Sequence, residues 1–171
     1  MVIWLVGLSG AGKSTIARLL YARLKLSNQA TVLVDGDEIR NLFHHDQKAG
    51  DYSLSARRVS AERLHSLCGW LDKQGIDVIC SAISMFPDII LKNRQEYSRF
   101  FEVYVDVSLE NLSSRDNKGL YQAALRGDMI NVVGVDLPYP SPQAPDLTIY
   151  NSFQQVDLTG YVEMLYQLVI G

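Results

Sequence analysis

Continuous apolar runs alternate along the chain with stretches where apolar residues recur every three or four positions. Val2–Val6 is apolar throughout, as expected of a strand buried on both faces. Lys13–Leu26 follows with Ile16, Leu19, Leu20 and Leu24 on one helical face. A second strand, 31–34, ends at Asp35-Gly36-Asp37, and residues 40–52 read as an irregular loop. Leu64, Leu67, Cys68 and Leu71 place a helix over 55–73, closed by Gly75. Residues 76–83 and 100–107 are the third and fourth strands. Pro87 suits the first turn of a helix between them, and a short helix is expected over 109–114. Residues 146–150 make a fifth strand, and 157–169 an amphipathic helix through Leu158, Val162, Leu165, Tyr166 and Val169.

This alternation predicts an α/β fold: a five-stranded, mostly parallel sheet covered by helices on both faces, three layers in all. Ligands of such sheets bind beyond the carboxyl ends of the strands. The first glycine loop, Asp37, Ser84 and the segment after Val107 all fall there.

The length, 171 residues, suits one domain spanning 1–171. A formal charge of −3 leaves no footprint for nucleic acid. No apolar run approaches the length that spans a bilayer. Residues 2–6 are too short for a signal peptide and lack its charged flank, so a cytoplasmic location is expected. Cys68 and Cys80 have no metal-ligand spacing and read as buried thiols. His44-His45-Asp46 has no third ligand at useful spacing and reads as solvated. The Pro-rich stretch 138–145 reads as a loop.

The chemistry begins at Gly7-Leu8-Ser9-Gly10-Ala11-Gly12-Lys13-Ser14-Thr15, between the first strand and the first helix. Glycines let successive backbone N–H groups turn inward around a phosphate, and the helix adds its positive end. Lys13 is placed to reach the β and γ phosphates of ATP, and the Ser14 hydroxyl to ligate Mg²⁺. Asn117-Lys118 resembles the start of a guanine reader, but Leu120 stands where that motif has Asp. The length suits a small-molecule kinase rather than a motor.

Asp35 and Asp37 lie in the turn after the second strand. One carboxylate there can take the proton of an acceptor hydroxyl, and the other can organise Mg²⁺. Arg40, Arg57, Arg58 and Arg63 follow. Their guanidinium forks suit an acceptor bearing phosphate or sulfate. Arg115-Asp116-Asn117-Lys118-Gly119-Leu120-Tyr121 follows the fourth strand and opens a segment, about 115–135, that reads as a lid.

Together these motifs resemble the adenylyl-sulfate kinase family from about Ile3 to Ile149, the match running through GLSGAGKST, DGDEIR, SLSARR, AIS, FEVYVDV, RDNKGLY, GVDLPY and PDLTI in order. The resemblance implies a P-loop kinase that moves the γ-phosphoryl of ATP to the 3′-hydroxyl of adenosine 5′-phosphosulfate (APS), with Mg²⁺. Asp37 would be the base facing the acceptor, Arg40 and Arg57 would hold it, and Lys118 would sit over the transferring group. Arg115 would flank the ATP base. Tyr52, Ser60, Ile83, Ser84, Leu120 and Val132 match positions around the acceptor. The family is assigned a phosphoserine at the position of Ser84, although direct in-line transfer needs no covalent serine. The resemblance also implies a small-molecule nucleotide as partner, and homodimers.

The departures cluster on the acceptor side. Family members stack the acceptor adenine between two phenylalanines; here Tyr52 and Val132 stand in those places. A lost ring removes a stacking face worth about 1–3 kcal/mol, unless Phe86 supplies it. Ser60 replaces an asparagine, and Ser84-Met85-Phe86 replaces Ser-Pro-Tyr. APS still leads as acceptor on the resemblance, in sulfate assimilation. A different nucleotide such as cytidine diphosphoramidate, in capsule modification, is the alternative. A non-catalytic nucleotide-binding module is the third reading, and the presence of both Lys13 and Asp37 argues against it.

Overall fold

A computed structural model describes residues 1–43, 51–153 and 158–171. The apolar runs form strands β1 (Val2–Val6), β2 (Thr31–Asp35), β3 (Asp77–Ser81), β4 (Phe100–Asp106) and β5 (Leu147–Tyr150). They pair in the order β2-β3-β1-β4-β5, and every pairing is parallel. Seven helices are described: α1 (Lys13–Lys25), α2 (Gly36–Leu42), α3 (Leu54–Asp72), α4 (Pro87–Glu96), α5 (Leu109–Arg115), α6 (Leu120–Leu125) and α7 (Leu158–Ile170).

The period-two alternation of β1 divides the core. Ile3 and Leu5 join one apolar cluster with Ile16, Leu20 and Leu24 of α1 and Val162, Leu165 and Val169 of α7. Val2, Trp4 and Val6 join the opposite cluster with Leu64 and Cys68 of α3. Both faces are therefore covered, which is why the strands read as unbroken apolar runs. Cys68 and Cys80 are both buried in the second cluster. No helix among the described residues is long and apolar enough to cross a membrane.

Two elements differ from expectation. The turn at Gly36 opens a helix, α2, that runs to Leu42, so the irregular loop begins later than residue 40. Asp35 caps it, its carboxylate accepting the backbone N–H of Asp37 at 3.0 Å. Inside the 115–135 segment Asp116 accepts the backbone N–H groups of Leu120, Tyr121 and Gln122, which starts α6. Both helices are short and lack an apolar stripe long enough to mark them. The His44-His45-Asp46 triplet lies outside the described residues.

Candidate active site

The strands end on one edge, and the glycine loop crosses it. Gly7 has φ 147° and Gly12 φ 101°. A Cβ at Gly7 would lie 2.5 Å from the Val105 carbonyl oxygen, so only glycine fits. The loop leads directly into α1, with Gly12 as its N-cap. Lys13 is 8% exposed, and its Nζ donates to the Leu8 carbonyl at 2.7 Å. Burial pulls its ammonium down to about pKa 8, with Lys118 adding repulsion and Asp37 and Asp35 opposing both.

Register explains the next contact. Asp35 and Ser81 are paired residues on β2 and β3. The Ser81 hydroxyl donates to Asp35 Oδ2 at 2.8 Å, and Ser14 Oγ donates to the same oxygen at 2.6 Å. Burial pushes the Asp35 carboxyl up. The two hydroxyls and the backbone N–H groups of Asp37 and Glu38 outweigh it and hold the carboxyl below its usual range. An ionised carboxylate beside a hydroxyl at the start of α1 is a hard-oxygen pair of the kind Mg²⁺ takes.

Asp37 stands in the first turn of α2 and is exposed. Lys118 Nζ donates to Asp37 Oδ2 at 3.3 Å. The segment carrying Lys118 is fixed on its other side, because the buried Tyr121 donates its hydroxyl to the Ser9 carbonyl at 2.8 Å. Glycine loop, acceptor turn and 115–135 segment thus converge.

Beyond α2 two guanidinium groups lie over the Tyr52 ring, with Arg40 Cζ 5.0 Å and Arg57 Cζ 5.3 Å from its centroid. Arg57 donates to the carbonyls of Tyr52 (2.9 Å) and Asn131 (2.8 Å). Burial and Arg40 lower its pKa, but a guanidinium stays charged. Ile83 and Ser84 follow β3 and are half-buried. Ser84 Oγ accepts the Trp4 indole N–H at 2.7 Å. Ser60 Oγ is buried without a hydrogen-bond partner, and Leu120 packs against the first apolar cluster.

Three sequence expectations land elsewhere. Val132 is 2% exposed inside that first cluster, so it presents no face to a base. Arg58 grips Asp88 through both guanidinium nitrogens, and also Glu62, which ties α3 to α4. Its Cζ also lies 5.0 Å from the Phe86 ring centroid, so that ring already has a guanidinium over one face.

The structure adds residues that no motif marked. Arg115 Cζ lies 4.3 Å over the Phe153 ring. Together with Asn111, Ser114 and Ser152 they line a cavity of about 380 Å³. Phe153 adopts φ 62°, and Asn151 Oδ1 accepts its backbone N–H at 3.0 Å. The Asn151 Nδ2 donates to the Ala11 carbonyl at 2.9 Å, joining this cavity to the glycine loop.

A glycine loop after β1, with a carboxylate and a serine at the strand ends beside it, points to a phosphate-handling protein, and comparison with known proteins gives the family. The sequence model for adenylylsulphate kinase matches residues 1–150. The chain belongs to the adenylylsulphate kinase family. It is a P-loop kinase that passes a phosphoryl group to a hydroxyl acceptor.

Among relatives, cytidine diphosphoramidate kinase of Campylobacter jejuni is 40% identical over 164 residues, covering 96% of this chain and 93% of that one. An adenylyl-sulfate kinase of Myxococcus xanthus is 37% identical, covering 91% and 84%. The APS kinase of Mycobacterium tuberculosis, solved with AMPPNP and APS, superposes with a TM-score of 0.84 at 30% identity, covering 99% and 97% of the two chains.

Proposed function

We propose that this kinase phosphorylates the 3′-hydroxyl of a cytidine nucleotide carrying a diphosphoramidate, with MgATP as donor. The observation that carries this reading is that Val132, which matches the second stacking position, is buried in the core and leaves Tyr52 without a ring opposite it. The Phe86 ring, for its part, already has the Arg58 guanidinium over it, held there by Asp88 and Glu62. A purine gains more than a pyrimidine from a second stacking face, so its loss disfavours adenine. The 40% identity to a cytidine diphosphoramidate kinase supports the same choice. Arg40 and Arg57 suit the anionic group of either acceptor.

In the proposed reaction Asp37 accepts the hydroxyl proton as the acceptor oxygen attacks the γ-phosphorus in line, and the bond to the β–γ bridging oxygen breaks to leave ADP. Lys118, beside Asp37, and Lys13, over the loop, lie where charge builds on the transferring group. Ser14 and Asp35 would hold Mg²⁺, which supplies charge neutralisation at the β and γ phosphates. The 115–135 segment acts as a lid over this chemistry, fastened by Tyr121 and Lys118.

APS is the second reading, favoured by the likeness to the M. tuberculosis enzyme solved with APS. ADP release with each nucleotide as sole acceptor separates the two. Turnover with cytidine diphosphoramidate, and phosphorus coupled to H3′ of the product by NMR, is the expected result. Turnover with APS alone would refute the cytidine assignment.

A further inference from the structure

Trp4 is 1% exposed on the sheet face covered by α3. Its indole has one polar atom, an N–H that can only donate. A buried indole N–H needs a partner, and Trp4 finds it 80 residues away in Ser84 Oγ, at 2.7 Å. The reach follows from register. Trp4 pairs with Cys80 on β3, and the chain runs on through Ser81, Ala82 and Ile83 to Ser84 beyond the strand end. That end is where Ser81 meets Asp35 and where the acceptor turn begins.

A serine hydroxyl has two lone pairs and one proton. Trp4 occupies one lone pair, which leaves one lone pair and the proton, and of these only the proton can bond an anionic ligand. We propose that Trp4 is a positioning residue. Its indole N–H sets Ser84 as a hydrogen-bond donor to the anionic group of the acceptor nucleotide. The contact also withdraws electron density from Oγ, which makes Ser84 a poorer nucleophile and a better donor. This inference rests on the proposed anionic nucleotide acceptor but not on which base it carries.

The alternative is that Ser84 only satisfies a buried indole. Steady-state kinetics distinguish the two, using whichever nucleotide the wild-type chain turns over faster. Trp4→Phe keeps the ring and removes the N–H. It is expected to raise the acceptor KM about 2- to 10-fold and leave the ATP KM unchanged. Ser84→Ala is expected to raise the acceptor KM about 10-fold, and Ser84→Thr to restore most of it. The double variant should match Ser84→Ala alone, because both substitutions break one linkage. An unchanged acceptor KM in Trp4→Phe, or effects of the two substitutions that multiply, would overturn the proposal.

The unmodified protein gives a second test. The Trp4 indole N–H resonance should shift on saturation with acceptor and stay put with ATP, while exposed Trp70 serves as the internal reference. No shift with acceptor would equally overturn it. Failure of the wild-type chain to turn over any nucleotide would instead count against the proposed function, so the two failures are separable.

Discussion

Lys118 Nζ lies 3.3 Å from Asp37 Oδ2, joining the 115–135 segment to the acceptor turn. The two side chains are 60% and 72% exposed. A pair this exposed adds little to folding stability. Its consequence is positional: it holds a cation and a carboxylate together at the mouth of the glycine loop.

Asp37→Asn keeps the shape of the side chain and removes its basicity. Turnover is expected to fall about 10²- to 10⁴-fold, the usual worth of a general base. ATP affinity, measured by calorimetry, should change little. Equal losses in turnover and ATP affinity would place Asp37 on the donor side instead.

Lys118→Ala removes the cation without touching the core. We expect kcat to drop about 10²-fold, as for loss of one charge-stabilising donor. The melting temperature should hold within about 1 °C, given the exposure of the pair. A large fall in melting temperature with kcat intact would make Lys118 a structural clamp.

The donor half was legible in the sequence because its chemistry is local. Nine consecutive residues, Gly7–Thr15, carry the whole phosphate loop, and the strand and helix flanking it follow from simple periodicity. Asp35 and Asp37 were legible for the same reason. Phe153 was not, since its place depends on a positive φ and on Asn151 reaching back to Ala11 across 140 residues. Val132 matches a position around the acceptor, but position in a motif does not say which way a side chain turns, and its burial in the core was not legible. Phe86 was legible as a candidate second ring, but the Arg58 guanidinium over it, fixed by Asp88, was not. Such contacts between α3 and α4 leave no periodic trace.

Phe153→Ala tests the donor cavity. Losing the ring opposite Arg115 should raise the ATP KM about 5- to 150-fold, the range for one stacked base. The acceptor KM should stay within about twofold. An unchanged ATP KM would move the adenine elsewhere.

Lys13 provides a proton signature. Burial lowers its pKa to about 8 in the free protein, so a neutral fraction grows as pH rises through that value. The phosphates of ATP favour the ammonium and raise its pKa. Binding should therefore take up little proton at about pH 7 and progressively more toward about pH 9. Calorimetry in buffers of different ionisation enthalpy reads this directly. Uptake that does not increase with pH would show that Lys13 is already fully charged before ATP arrives.

The central claim concerns the acceptor, and a competition experiment tests it most directly. Cytidine diphosphoramidate and APS are supplied together at equal concentration with limiting MgATP, and the two 3′-phosphorylated products are counted by mass spectrometry. The ratio of products is the ratio of kcat/KM values. The account predicts a large excess of the phosphorylated cytidine nucleotide, and a large excess of phosphorylated APS would contradict it.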